Sequence, residues 1–120
     1  MSALRPRLHA GTYVFVCVSP QVDASGLEVV ASILEAEGRT LVLPEAQALE
    51  RGFEVLWRGC WITLDADTSL AMVGLTARFA GALADAGIAC NVLAGAHHDH
   101  LFVPPERGED AVAILSRLPI

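Results

Sequence analysis

Three histidines and an aspartate occupy four consecutive positions, His97-His98-Asp99-His100, within "NVLAGAHHDHLFVP" (residues 91–104). No other stretch concentrates so many side chains able to ligate metal, move a proton or hold a charged ligand. If residues 99–103 form a strand, side chains alternate between faces. His98 and His100 then share one face, and His97 and Asp99 the other. His98-x-His100 on a strand supplies two ligands, whereas zinc takes three or four. The others would have to come from His9, Asp65, Asp67 or a second subunit, and no second metal-like spacing occurs. A hydrolytic arrangement would use His98 or His100 as base, Asp99 or Asp65 to orient it, and Ser69 or Cys90 as nucleophile. The chain has no G-x-S-x-G, no glycine-rich phosphate loop and no C-G-x-C-W type signature, so catalysis is not expected. Nor is any cofactor. A ligand-site or interface role and a solvated hairpin turn remain open for the cluster, and so does the alternative of a metal-binding protein or metal-dependent enzyme that uses His97, His98 and His100.

The elements around the cluster must position it. Residues 88–95 and 100–104 read as two strands joined by the cluster, hence a hairpin, with Gly95 relieving the turn. Asn91 lies inside the first of them, either bonded to a neighbouring loop or touching a ligand. Upstream, residues 60–66 read as a strand with Trp61, Thr63 and Asp65 on one face. Trp57 and Trp61 read as core or interface side chains, with Trp61 packed between sheets. Thr68 or Ser69 is the expected N-cap of a helix carrying Met72, Leu75, Phe79 and Leu83 inward and stopping at Gly87. Pro104-Pro105 ends the last strand and admits a final helix. Its first turn holds Glu106, Glu109 and Asp110, its end Arg117, and its inner face Ala111, Ile114, Leu115 and Leu118.

In the first half, residues 12–18 read as a strand. Ser25-Gly26-Leu27-Glu28 fits a capping box. It predicts a helix to about Glu37 that buries Leu27, Val30, Ala31 and Leu34 and stops at Gly38. Residues 39–44 form a second strand, residues 45–52 one or two helical turns, and residues 53–59 a short strand or loop. A weak repeat lays "LEAEGRTLVL" on "LADAGIACNV", about 49 residues apart. The halves, 1–57 and 58–120, therefore read β-α-β and β-α-β-β-α. The second is the open ferredoxin-like series, an antiparallel sheet with helices on one face. Several strands are apolar on both faces, so the other face is expected against the other half, a second chain, or both.

Bulk properties restrict the function. The chain is 53% hydrophobic and 18% charged, with a net charge of −6. No basic stripe could neutralise phosphates, which argues against nucleic acid. The negative charge argues against docking on anionic lipid, and no apolar run reaches the roughly 20 residues of a membrane span. "MSALRPRLHAG" lacks the apolar core of a signal peptide. Cys17, Cys60 and Cys90 each lie in an apolar run without a CxxC, the pattern of buried, reduced thiols in a cytoplasmic protein.

The second half resembles the ACT-domain family. The resemblance rests on "S-L-x-x-V-G-L" (Ser69, Leu70, Val73, Gly74, Leu75), on "A-L-A-x-A-G-I" (Ala82 to Ile88) and on Asp99 one residue before an apolar strand. "GTYVFV" and "EAEGRTLVLP" fit the first half of small bacterial double-ACT proteins. The second half of those proteins is similar to the ACT modules of the cytosolic arginine sensor. The resemblance implies tandem ACT-like halves in an α+β fold, a homodimer or tandem units imitating one, and a regulatory role. The implied role is binding a small molecule, an amino acid by class, and acting through a partner or the dimer interface. It implies a site at the loop and helix start, Asp65, Asp67, Thr68, Ser69, Val73, Gly74 and Leu75, with Asn91, His98, Asp99 and His100 nearby. A helix N-terminus offers amides to a carboxylate, and Gly74 lets a ligand approach the backbone. Asp99 stands where arginine-sensing modules carry an acid, so it is expected to pair with a ligand cation. His98 and His100 depart from that pattern, standing where such relatives carry Tyr, Asn, Thr or an aromatic residue. A dimerisation module without ligand is the structural alternative.

Overall fold

The computed structural model describes residues 4–65 and 72–119. The chain divides into two compact units. One is Gly11–Gly59; the other combines Met1–Ala10 with Cys60–Ile120.

In the Gly11–Gly59 unit, β2 (Tyr13–Val18) pairs antiparallel with β4 (Gly38–Pro44), and β4 pairs antiparallel with β3 (Ala31–Glu35). Trp57, Arg58 and Gly59, the first residues of β5 (Trp57–Asp65), line the other edge of β2. Alternation along β2 and β4 sends Val14, Val16, Leu41 and Leu43 to one face. There they bury with Ala48 of α1 (Glu45–Glu50), flanked by Leu27, Val29, Phe53 and Val55. The helix α1 and the turn at Gly52 (φ 71°) match the expectation.

The helix expected from Ser25 to Glu37 is absent, and β3 takes its place. Ser25 turns away from Glu28: its amide and hydroxyl both donate to Asp23 Oδ1, at 2.9 and 2.6 Å. The Glu28 amide donates instead to Gln47 Oε1 at 2.8 Å. The capping box is therefore never closed. The run that follows contains Val29, Val30 and Ile33, whose β-branched side chains suit a pleated strand. The Val30 amide donates to the Val42 carbonyl at 2.7 Å, which opens the ladder that β3 continues. Gly38 is the close of a two-residue turn, not a helix stop. A Cβ there would lie 2.6 Å from the Val18 carbonyl oxygen and 3.0 Å from Cys17 Sγ. Of the predicted inner stripe, Leu27 packs on the core and Leu34 is 65% exposed.

In the other unit, β1 (Arg5–Leu8) and β7 (Asp99–Val103) flank β5, and β6 (Asn91–Ala94) pairs with β7, all antiparallel. The order β1-β5-β7-β6 brings the first ten residues into this unit. The strand β1 was not evident in the sequence because Pro6 interrupts it and its arginines alternate with only Leu4, Pro6 and Leu8. Helices α2 (Leu75–Asp85) and α3 (Gly108–Ser116) cover one face. Phe79, Leu83, Ala111 and Leu115 pack there against Leu4, Ile62, Leu64, Leu101 and Val103. A 3-10 turn, Pro105–Arg107, precedes α3. The helix α2 starts later than expected: Gly74, at φ 91°, is its N-cap, and Met72 lies outside it, 44% exposed. The proposed caps Thr68 and Ser69 lie outside the described residues. The hairpin is as expected, except that Gly95 keeps an ordinary φ. What it needs is room, since a Cβ would meet the His98 carbonyl oxygen at 3.0 Å.

The expectation of three buried thiols holds for Cys60 only; Cys90 is half-buried, and Cys17 is exposed on β2. Among the described residues no helix is long and apolar enough to cross a membrane. The chain is an α+β protein of antiparallel strands, with the helices of the larger unit on one face.

Candidate functional site

The face of the β1-β5-β7-β6 sheet away from α2 and α3 collects the polar chemistry. Strand alternation puts Cys60, Ile62 and Leu64 into the helix-covered core and Trp61, Thr63 and Asp65 on the opposite face. Register adds side chains from the neighbouring strands: Arg5 lies opposite Asp65, Arg7 and His100 opposite Thr63, and Phe102 opposite Trp61.

A hydrogen-bonded chain runs from His9, just beyond β1, across β5 to β7. Thr63, 1% exposed, has its Oγ1 2.7 Å from His9 Nε2 and 3.1 Å from His100 Nδ1. Trp61 Nε1 donates to the same Nδ1 at 3.1 Å. An indole N–H can only donate, so Nδ1 of His100 is the acceptor and the ring proton sits on Nε2. Each contact receives a proton when His9 Nε2–H donates to Thr63 and the Thr63 hydroxyl donates to His100. His9 also lies flat on Trp61, ring centroids 3.5 Å apart and 6° from parallel. Burial holds both imidazoles below the ordinary histidine range. Arg7 and His100 add to this at His9. At His100, His98 adds, Asp99 opposes, Arg7 adds again and Asp65 opposes. Both shifts favour the neutral rings that the chain of bonds requires.

A second contact lies beside it. His98 Nδ1 is 3.0 Å from Asp65 Oδ1, and Arg7 Nε is 3.9 Å from Asp65 Oδ2. The hairpin turn is closed by the Gly95 amide, which donates to the His98 carbonyl at 2.9 Å.

The residues singled out from the sequence fall in three places. Asp65, His98 and His100 come together on the helix-free face. Asp99 lies opposite Leu64 and Ala94, so it stands on the helix side of the sheet with Leu101 and Val103 and not with the two imidazoles. His97 is exposed in the turn, and Asn91 is exposed opposite Phe102. At the start of α2, Val73 is 94% exposed, Gly74 caps the helix, and Leu75 is buried against the core. Asp67, Thr68 and Ser69 lie outside the described residues. The sequence pattern did not place Arg7 in the site, and it suggested His9 only as a metal ligand. The alternation Arg5-x-Arg7-x-His9 is the signal that could have found them, once a strand there is suspected.

The arrangement limits the chemistry. Among the described residues no three His, Cys, Asp or Glu side chains are grouped to hold a metal ion. Nδ1 of His98 is committed to Asp65 and Nδ1 of His100 to Trp61 and Thr63, with the two rings 6.3 Å apart and nearly perpendicular. Burial pushes the Cys90 thiol up to about 11, so it is not an activated nucleophile near neutral pH.

Two ACT-domain family models match the sequence, one over residues 1–57 and the other over residues 58–117. Among solved structures, the chain is similar to a Vibrio cholerae protein of unknown function described as a possible transport protein. Identity is 43%, coverage 94% of this chain and 88% of that one, and the TM-score 0.86. An Agrobacterium tumefaciens protein is 18% identical over 96% of this chain and 88% of that one, with a TM-score of 0.72. The ligand-free regulatory subunit of aspartate kinase from Thermus thermophilus is 12% identical, with coverage of 94% and 95% and a TM-score of 0.67. The last two are likenesses of fold. No curated protein matches the sequence.

Proposed function

The chain belongs to the ACT-domain family, with one ACT match in each half, and from that premise we propose that it is a regulatory module that binds a small polar metabolite, an amino acid by class. Binding is passed on through its own dimer interface or a partner protein, in the cytoplasm. The observation that carries this reading is the start of α2. Among the described residues no side chain caps the helix that Gly74 opens, and none lies within 4 Å of where a Gly74 Cβ would be. First-turn amides that no side chain caps attract a carboxylate, and the helix dipole adds to the attraction. Asp65 ends the strand that leads toward this helix, through a segment containing Asp67, Thr68 and Ser69. In the proposal these residues, with the exposed Val73, surround the ligand. A ligand with different affinity for two arrangements of an interface shifts the balance between them, which is all that regulation requires.

A thermal-shift screen of the twenty amino acids, with calorimetry on any hit, tests the proposal. A ligand at about 100 times its Kd adds roughly 2.7 kcal/mol. For a chain of this size that raises Tm by roughly 10 °C. If no amino acid shifts Tm or gives binding heat in the millimolar range, the amino-acid reading fails and a ligand-free dimerisation module is favoured. A chelator that lowers Tm would favour metal instead.

A further inference from the structure

The helix-free face of the larger unit carries an excess of cationic and donor groups in a chain whose net charge is −6. Two guanidinium groups, Arg5 and Arg7, share the face with the imidazoles of His9, His98 and His100. Register and contacts place one carboxylate among them, Asp65. That carboxylate is already paired with His98, and its distance of 3.9 Å from Arg7 leaves the guanidinium fork without a close bidentate partner there. Among the described residues, Arg5 has no ion pair at all. The proton of His100 is held on Nε2, and that edge of the ring lies beside Gly95. A Cβ at Gly95 would stand 3.5 Å from Nε2, so the missing side chain keeps this donor open. No buried polar side-chain atom among the described residues lacks a partner, so the outward donor is not sealed in.

We propose that this sheet face is a binding surface for a small organic carboxylate, held by Arg7 and Arg5 on β1 and by His100 and His98 on β7 and the hairpin. The indole–hydroxyl–imidazole chain fixes the His100 ring so that its donor is presented before the ligand arrives. Such fixing reduces the ordering cost of binding. A singly charged carboxylate group suits a surface with Asp65 in its midst better than a phosphate dianion does. Asp65 is common to this surface and to the site proposed at the start of α2, but Arg7 and His100 belong to this surface and Gly74 to the other, so variants at Arg7 and at Gly74 test the two separately.

Binding is coupled to protons. His100 faces Arg7 from β1, Asp65 from β5 and His98 from the hairpin, and feels the charge of Asp99 from the other side of its own strand. His9 faces Arg7 and His100. An anion placed between these groups favours the charged form of His9, whose Nε2–H goes on donating to Thr63, so proton uptake accompanies binding, and affinity rises as pH falls.

The test is a succinate titration followed by the imidazole NMR resonances of His9, His98 and His100, at about pH 6 and again at about pH 8. Saturable shifts of His98 and His100 in the millimolar range are expected, with several-fold tighter binding at the lower pH. Arg7→Gln, at an exposed position, should weaken binding about tenfold, the value of one charge-assisted hydrogen bond. Arg5→Gln should weaken it less. At about pH 8 inorganic phosphate, with both charges on one group, should bind more weakly than succinate, whose charges lie on separate carboxylates. The proposal is overturned if succinate gives no saturable shift up to tens of millimolar. It is also overturned if Arg7→Gln, folded by its amide spectrum, binds as well as the parent, or if affinity does not rise with falling pH. An amino acid that raises Tm equally in the parent and in Arg7→Gln would leave the regulatory reading standing without this surface.

Discussion

Replacing Thr63 by valine keeps the shape of the side chain and removes only its hydroxyl. In the parent that hydroxyl accepts from His9 at 2.7 Å and donates to His100 at 3.1 Å. It does so from a residue 1% exposed, so water cannot easily replace it. Each bond contributes about 1 kcal/mol net. His9 is half-exposed and regains part of its loss from solvent, and His100 keeps the Trp61 N–H. The expected cost is therefore about 1.5 kcal/mol, a fall in Tm of roughly 6 °C at this chain length. Urea unfolding at neutral pH measures it. A double-mutant cycle with His9→Phe, which keeps the flat stack on Trp61, isolates the His9–Thr63 term at about 0.5–1 kcal/mol. As pH falls through the lowered pKa of His100, Nδ1 becomes protonated and can no longer accept. The penalty of the valine should then shrink. A Thr63→Val protein as stable as the parent, or a coupling term near zero, would refute the hydrogen-bonded chain as a source of stability.

Other outcomes follow from the same structure. Gly38→Ala places a methyl 2.6 Å from the Val18 carbonyl. It should cost about 1–3 kcal/mol in urea unfolding, and an unchanged midpoint would mean the β3–β4 turn is not as close to β2 as described. Stability should decline as the medium is acidified. The unfolded chain protonates His9 and His100 near their ordinary 6.5, while the folded chain resists until lower pH. Their contribution is full above about pH 6.5 and is lost as pH falls through the lowered values. A flat Tm between about pH 7.5 and pH 5 would contradict this. Gly74→Ala, at φ 91° and with no other described residue within 4 Å of the new methyl, should cost about 1 kcal/mol from backbone strain. It should also weaken any amino-acid response; an undiminished response would remove the start of α2 from the ligand site.

Local patterns in the sequence by themselves determine much of this protein. The runs at β2, β4 and β5 announce strands because their apolar, β-branched side chains suit a pleated surface whatever they pack on. The period of the strand is 2, so the separation of His98 and His100 from Asp99 is legible in four residues. Helix stops such as Gly87 (φ 73°) depend on backbone geometry at a single position and are equally plain. The family resemblance and the α+β class rest on such signals and hold. Tertiary structure decides the rest, wherever local and distant interactions compete. Ser25, Glu28 and Gly38 favour a helix locally, yet the ladder to β4 and the Gln47 side chain claim the same backbone groups. His9 and Thr63 are 54 residues apart. Only the pairing of β1 with β5 brings that imidazole, and with it Arg7, onto the face where Asp65, His98 and His100 stand.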